Sequence, residues 1–288
     1  MKKLLAILMA LAVVLSFAAC GGTVEETTTA NEETTVATPE NPVIRMSTTT
    51  SVNDSGLLPA ILPVFEQKTG YTVEVQSAGT GAAIQKAVDG NADLILVHSK
   101  ASEETFVSDG YGVERIPFMY NYFVVVGPAD DPAGIKDSAN AAEAFAKIAE
   151  AEAPFVSRGD DSGTHKAELK IWGEEEPDAA EDSWYISAGQ GMGACLTMAS
   201  EKGAYCLTDK ATFLSSKADL DLEIILAEGE DMKNTYSVIE CNPEKLDDIN
   251  TEGAKALIEW LTGDEASELI AKYGEEQYGS ALFYLIEE

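Results

Sequence analysis

Three turns rich in Ser, Thr and Gly carry the residue types best suited to hold an anion. They occupy residues 47–51, 77–81 and 157–164, and each follows a strand-like run and precedes a helix-like segment. The first turn of a helix offers amide donors without intrahelical partners and a partial positive charge, and Ser or Thr adds a hydroxyl donor. Arg158 is the one cation in these turns. Together they predict a site of neutral donors plus one guanidinium, which suits a small tetrahedral oxyanion.

Other chemistries fit these residues less well. A Ser or Thr before a helix also serves as an ordinary N-cap, so no single turn identifies a site. Residues 79–81 (Gly-Thr-Gly) lack the remaining spacing of a P-loop or a dinucleotide fingerprint, and no Lys follows where one is required. Nucleotide binding is therefore not predicted.

Hydrolysis is an alternative from a different class. Ser162 or Thr164 would be the nucleophile, with His165 and the pair Asp160 and Asp161 nearby. This segment is not the G-x-S-x-G elbow, and a Ser and a His three apart at a helix start rarely align as nucleophile and base. We interpret His165 as a residue that caps or packs near the helix start. His98, at the end of an apolar run, is interpreted as a structural residue that could approach the cleft.

The elements that must position these turns alternate along the chain. Strand-like runs at 43–46, 71–76 and 94–97 are each followed by a helical pattern, at 57–70, 82–88 and up to 109. This order predicts an α/β fold with a parallel sheet covered by helices on both faces. Further strand-like runs lie at 122–126 and 236–240, and 247–273 is predicted to be helical with a break at 263–264.

Charge excludes some partners. The 288 residues contain 50 acidic and 19 basic side chains, for a net charge of -31. Such a surface repels nucleic acid and anionic lipid, so binding to either is not expected. A bound anion must be held by a local site that works against this field.

The N-terminus has the pattern of an export signal. Lys2 and Lys3 precede an apolar run over 4–19 that is too short for a spanning helix, so 1–19 is predicted to be a signal peptide. The small residues before Cys20 resemble a bacterial lipobox, which implies lipidation of that thiol. The rest of 20–41 is rich in Thr and Glu and is predicted to be a disordered linker.

Cysteine and histidine usage gives no metal or redox signature. Cys195, Cys206 and Cys241 lie outside any C-x-x-C, and the chain has only two His. We expect the three cysteines to be small buried apolar residues, and whether two of them pair is left open. No metal or cofactor is predicted.

Five motifs in register resemble the tungstate-binding proteins of bacterial ABC importers. The similarity extends from residue 44 nearly to the C-terminus. The motifs lie at 48–51 (Thr-Thr-Thr-Ser), 92–98, 157–165, 189–194 and 201–209.

This resemblance implies a two-lobed periplasmic-binding-protein fold of type II, with the ligand in the cleft between the lobes. Lobe one would comprise 42–127 plus 236–288 and lobe two 128–235, and 122–126 and 236–240 would be the strands that join them. The protein would not be an enzyme. It would be a monomer that captures tungstate or molybdate and delivers it to an ABC permease with its ATPase.

The resemblance also implies the ligand-binding residues. Which of the three threonines at 48–50 points inward is left open, because alternate residues of a strand face opposite ways. The implied set is Thr48, Thr49, Thr50, Ser51, Thr80, Gly81, Arg158, Ser162, Gly163 and Thr164.

Two alternatives share the fold. The pattern Arg-x-Asp-x-Ser-Gly-Thr over 158–164 also resembles phosphate-binding proteins, in which a carboxylate accepts the proton of hydrogen phosphate. An inward Asp160 would favour phosphate, whereas an Asp160 paired with Arg158 would orient the guanidinium for an unprotonated anion. The run at 48–51 and the motif around Gln190 favour tungstate. A signalling or adhesion domain of the same fold would bind no anion tightly.

Overall fold

The computed structural model describes residues 37–227 and 229–286. The predicted signal peptide (1–19), the lipidation residue Cys20 and positions 20–36 of the predicted linker lie outside the described residues. Within the described part, no helix is both long enough and apolar enough to cross a membrane.

The described residues form ten strands and eleven α-helices. The strands are β1 (Val43–Thr49), β2 (Thr72–Ala78), β3 (Leu94–Val97), β4 (Ile116–Gly127), β5 (Phe155–Ser157), β6 (Tyr185–Ser187), β7 (Tyr205–Asp209), β8 (Glu223–Ala227), β9 (Lys233–Glu240) and β10 (Tyr284–Leu285). The helices are α1 (Thr50–Asp54), α2 (Leu57–Thr69), α3 (Thr80–Val88), α4 (Lys100–Ser108), α5 (Ala141–Glu150), α6 (Gly163–Trp172), α7 (Met192–Lys202), α8 (Lys210–Ser216), α9 (Thr251–Leu261), α10 (Asp264–Lys272) and α11 (Glu275–Tyr278).

The strands pair in the order β2-β1-β3-β9-β4-β7-β5-β6, and β8 and β10 also pair with β4. β1 is parallel to β2 and β3, and β5 is parallel to β6 and β7, as the strand–helix alternation predicts. β9 and β4 are antiparallel to each other and to their other neighbours. The sheet is therefore mixed rather than all parallel, because β4 leads the chain away from the first strands and β9 leads it back.

β4 is the longest strand and connects two sets of strands. Its first part, Ile116 to Tyr122, pairs with β9, and its second part, Phe123 to Gly127, pairs with β7 and β8. β4 and β9 include the two runs predicted to join the lobes, but both begin earlier than their apolar runs. The proposed lobe boundaries, 42–127 plus 236–288 and 128–235, stay a prediction.

β3 shows how helices cover the sheet on both faces. Leu94 and Leu96 belong to the apolar core that contains α2 and α9, whereas Ile95 and Val97 belong to the core that contains α3 and α4. Successive strand residues point to opposite faces, so a strand buried on both faces has a continuous apolar sequence. Each of these fully buried aliphatic side chains stabilises the fold by about 1.5–3 kcal/mol.

Local signals set several helix ends. α2 ends at Thr69 because Gly70 adopts a left-handed conformation with φ of 76°, which favours glycine. The predicted break near 263–264 is observed between α9 and α10. α9, however, begins at Thr251 rather than at 247, because the Asn250 side chain accepts the Gly253 amide at 3.0 Å and caps the helix there.

All three cysteines in the described part are buried and free. Cys195, Cys206 and Cys241 form no disulfide, and burial raises the pKa of each thiol. They pack as apolar residues, as expected.

Candidate anion-binding site

A small, tight cavity lies where the three turns meet. The turns follow β1, β2 and β5 and lead into α1, α3 and α6, so the cavity is at the carboxyl ends of parallel strands, where α/β folds bind ligands. Its lining consists of Thr49, Thr50, Ser51, Ala78, Gly79, Thr80, His98, Arg158, Ser162, Gly163 and Thr164.

The cavity brings together eight of the ten residues implied by the family resemblance. Thr48 is not in the lining: it is fully buried, and its hydroxyl donates to the Leu96 carbonyl at 2.7 Å. Gly81 is also outside, as the second residue of α3. Ala78, Gly79 and His98 join the lining although they were not in the implied set.

β1 and α1 present the first group of hydroxyls. Thr49 caps α1, because its Oγ1 accepts the Val52 amide at 3.4 Å. The Thr49 Oγ1 and Ser51 Oγ atoms lie 3.2 Å apart. Because successive side chains of β1 point in opposite directions, the Thr48 hydroxyl contacts β3 and the Thr49 hydroxyl lies at the cavity.

Three buried polar atoms of the lining have no hydrogen-bond partner among the described residues: Thr80 Oγ1, Arg158 Nε and Thr164 Oγ1. A buried polar group without a partner costs about 1–3 kcal/mol. Each of the three can donate a proton. An oxyanion in the cavity would give these donors acceptors.

Arg158 is held by Asp160. The Arg158 side chain is 4% exposed, and its Nη2 donates to Asp160 Oδ2 at 2.5 Å. Asp160 Oδ1 accepts the Ser162 amide at 3.2 Å, and Asp160 is not in the lining. Burial raises the pKa of Asp160, but bonds from Ser162 and the charge of Arg158 outweigh it and lower the pKa overall. Asp160 therefore orients the guanidinium as a carboxylate.

The turn between β5 and α6 needs an unusual backbone to place Arg158 and Ser162 in one cavity. Gly159 and Asp161 have φ of 58° and 57°. At Gly159, a Cβ atom would lie 2.0 Å from Ser187 Oγ, so both the conformation and the packing require glycine.

The N-terminus of α6 lies directly against residues that follow β2 and β3. Ser162 caps the helix by accepting the His165 amide at 3.2 Å, and the Gly163 and Thr164 amides have no intrahelical acceptor. A Cβ on Gly163 would lie 2.5 Å from His98 Cε1 and 2.9 Å from Thr80 Oγ1. Glycine thus permits this close approach.

His98 is a residue of the cavity that the sequence singled out only weakly. Its ring contacts Thr49 and Ser51 through Nε2 and Asn234 through Nδ1. Burial lowers the pKa of His98 to about 4, and the Arg158 charge adds to this effect, so the ring is neutral near pH 7. The position of His98 directly after β3, which neighbours β1, was the available signal.

The geometry does not support hydrolysis. The Ser162 hydroxyl accepts the His165 amide, and the His165 Nδ1 atom accepts the Asp161 amide at 3.1 Å. The imidazole therefore does not activate the hydroxyl as a base would. Across the described residues there is also no cluster of three or more His, Cys, Asp or Glu able to hold a metal ion.

Known proteins resemble this chain over most of its length. Residues 28–265 match the PBP superfamily domain. The tungstate-binding protein TupA of Peptoclostridium acidaminophilum is 46% identical over 285 residues, which cover 98% of either chain.

Two solved structures share the fold. The TupA tungstate-binding protein of Desulfovibrio alaskensis G20 is 37% identical with a TM-score of 0.75, covering 86% of this chain and all of its own. The tungstate ABC transporter structure from Geobacter sulfurreducens is 44% identical with a TM-score of 0.74, covering 80% of this chain and 98% of its own. These matches confirm the α/β periplasmic-binding-protein-like fold, and the relatives are binding proteins of ABC transporters rather than enzymes, as expected. The chain belongs to the PBP superfamily and is a homologue of the tungstate-binding protein TupA.

Proposed function

We propose that this protein is the substrate-binding component of an ABC importer and that it captures tungstate, and also molybdate, in the cavity at the three turns. The observation that carries the proposal is the set of three partnerless donors, Thr80 Oγ1, Arg158 Nε and Thr164 Oγ1, in the lining of one buried cavity. The ligands are the eight lining residues of the implied set. Thr48 supports them from behind through its bond to Leu96.

The protonation state of the ligand follows from the lining. Tungstate and molybdate carry no proton at neutral pH, so they need donors and no acceptor. The lining contains no carboxylate, and Asp160 faces Arg158 with a lowered pKa. Hydrogen phosphate would lack the carboxylate that accepts its proton. This arrangement favours an unprotonated oxyanion over phosphate.

Transport requires that the permease distinguish the loaded protein from the empty one. Donors from α3 and α6 meet across the cavity, so an anion bound to both would favour the form in which the two helices are close. We place the protein on the outer face of the cell membrane, tethered through a lipid on Cys20. The permease and the ATPase are its partners.

Calorimetric titration of the purified full-length chain with tungstate, molybdate, sulfate and phosphate tests the proposal. We expect tight binding of tungstate and no heat from phosphate. Tight phosphate binding with weak tungstate binding would make the protein a phosphate receptor. If none of the four anions gave binding heat, the protein would be a domain of this fold that does not transport them.

A further inference from the structure

Within the part of the chain that the structure describes, His98 makes its hydrogen bonds in a continuous buried network that begins at the cavity. The residue follows β3 directly and is 9% exposed. Its Nε2 atom lies 3.1 Å from Thr49 Oγ1 and 3.2 Å from Ser51 Oγ, the two hydroxyls at the end of β1. Both hydroxyls belong to lining residues of the cavity.

The other side of the ring is fixed by β9. His98 Nδ1 lies 2.9 Å from Asn234 Oδ1. The Asn234 Nδ2 atom donates to Asn121 Oδ1 at 2.9 Å, on β4, and to Tyr236 Oη at 2.8 Å. Because these two bonds turn the amide nitrogen away from the ring, the oxygen faces Nδ1, which must carry the ring proton.

This tautomer determines what Nε2 can do. A neutral ring with its proton on Nδ1 has a lone pair on Nε2, so Nε2 accepts a hydroxyl proton. The lone pair takes one proton, from either Thr49 or Ser51. The other hydroxyl can donate to its neighbour's oxygen, 3.2 Å away, or turn its proton toward an acceptor in the cavity beside it.

We propose that His98 is a positioning residue of the anion site, which orders the Thr49 and Ser51 hydroxyls so that one of them donates to the bound anion. The proposal rests on the proposed function, since it assumes an oxyanion in this cavity. His98 acts through the two hydroxyls, and β4 and β9 hold its ring through Asn121 and Asn234. The fixed orientation of the His98 ring also provides the surface against which Gly163, at the start of α6, packs.

Two substitutions separate the two ring nitrogens. The amide of Gln reaches the place of Nε2, and the shorter amide of Asn reaches the place of Nδ1. His98→Gln should keep an acceptor for the hydroxyls and bind tungstate within about threefold of the wild type, whereas His98→Asn should weaken binding about tenfold. Calorimetry on the full-length chain gives both affinities, and thermal melts of the anion-free variants show whether stability changes in parallel.

His165→Gln is the matched control, since its ring binds the Asp161 amide and does not line the cavity. Equal losses of affinity in His98→Gln and His98→Asn, or none in either, would overturn the proposal while leaving tungstate binding by the wild type intact. Absence of tungstate binding by the wild type would instead contradict the proposed function itself.

A spectroscopic measurement tests the proposal without any substitution at His98. The chain has two His, so ¹⁵N-histidine NMR with His165→Gln assigns both rings. We expect the His98 proton on Nδ1 near pH 7 and a shift of the Nε2 resonance on addition of tungstate, as the hydroxyl bonds rearrange. A proton on Nε2, or an Nε2 resonance that tungstate leaves unchanged, would overturn the proposal.

Discussion

The cavity depends on a few residues whose charges and protons are set by their immediate neighbours. Arg158 supplies the positive charge, and Asp160 fixes its direction. Neutral hydroxyls supply the remaining side-chain donors, which need no counterion in a buried site. An anion therefore meets one charge and several dipoles that are already aimed at it.

Arg158→Ala should weaken tungstate binding by at least about tenfold, because a hydrogen bond to a charged group contributes about 1.5–3 kcal/mol. Calorimetry measures the loss. Lys68→Ala removes an exposed cation of α2 and should leave the affinity unchanged. Unaltered affinity in Arg158→Ala would remove the guanidinium from the site.

Glu168 is a buried carboxyl on α6 that gives stability a pH dependence. It is 1% exposed and accepts bonds from Tyr185 Oη at 2.7 Å and Trp172 Nε1 at 3.3 Å. Burial raises its pKa to about 7, although the bond from Tyr185 opposes the rise. Between the unfolded value of 4.5 and about 7, the native state holds more of this proton than the unfolded state. The contribution of Glu168 to stability is thus lost as pH rises through that window.

Glu168→Gln should remove this loss. The free energy of unfolding of the wild type should fall by roughly 2–3 kcal/mol relative to Glu168→Gln between about pH 4 and about pH 8. Urea unfolding of both proteins at the two pH values measures the difference. His98 makes a pH-dependent contribution to stability of the opposite sign, and because His98 is present in both proteins, that contribution cancels in the comparison. Parallel pH profiles would show that Glu168 titrates normally.

At the scale of elements, capping side chains and close helix contacts decide where each turn lies. Asn250 caps α9 and also donates to the carbonyls of Asn41 and Val43 at 3.0 and 2.7 Å, which ties the start of β1 to this helix. β1 ends at Thr49 in the lining of the cavity, so the cap anchors the far end of a strand that helps to form it.

Asn250→Ala should destabilise the protein by roughly 2–3 kcal/mol, because it removes a cap and leaves two carbonyls without their donor. Asn140→Ala, at the exposed cap of α5, loses the cap alone and should cost about 1 kcal/mol. Urea unfolding compares the two variants. Equal costs would show that the link from α9 to β1 contributes nothing.

Gly163→Ala should separate α6 from His98 and Thr80. The added Cβ overlaps both neighbours, and overpacking costs about 1–3 kcal/mol, so tungstate affinity should fall about tenfold while the helix itself remains stable. Gly193→Ala in α7 is the matched control, because a Cβ there meets nothing within 4 Å. Calorimetry of the two variants tests the contact, and equal affinities would mean that binding does not need α6 so close.

For the whole molecule, the net charge of -31 opposes the capture of an anion. The field would repel an anionic ligand at long range, whereas the donors of the cavity would attract it at contact. Salt screens the exposed charges over about 8–10 Å at physiological ionic strength and screens a buried site much less. Repulsion and attraction therefore respond differently to salt.

The affinity for tungstate should change by less than about fivefold between about 20 and 500 mM KCl, without marked weakening at high salt. Titrations at several salt concentrations, with tungstate and with molybdate, measure this dependence. Steep weakening with salt would indicate a loose surface site and contradict binding in the cavity.

Neighbouring residues in the sequence determine much of the local structure of this protein. The three turns, the glycine that ends α2 and the continuous apolar run of β3 are set by neighbouring residues in the sequence, so they could be predicted without knowledge of tertiary contacts. The parallel pairing predicted from the strand–helix alternation holds for β1 to β3 and for β5 to β7, whereas the antiparallel β4 and β9 depend on where the chain returns, which no local pattern encodes. The family followed from the resemblance of five motifs in register to known binding proteins, and the comparisons confirm it.

Only the tertiary structure decided which of those donors line the cavity. Pairing of β1 with β3 puts the Leu96 carbonyl beside the Thr48 hydroxyl, so Thr49 rather than Thr48 reaches the cavity. The left-handed turn at Gly159 and Asp161 directs Asp160 onto Arg158. His98 reaches the same cavity from the end of β3, a fourth strand in addition to β1, β2 and β5. These choices depend on register and on contacts between distant segments, because a side chain's neighbours across a sheet are absent from its local sequence.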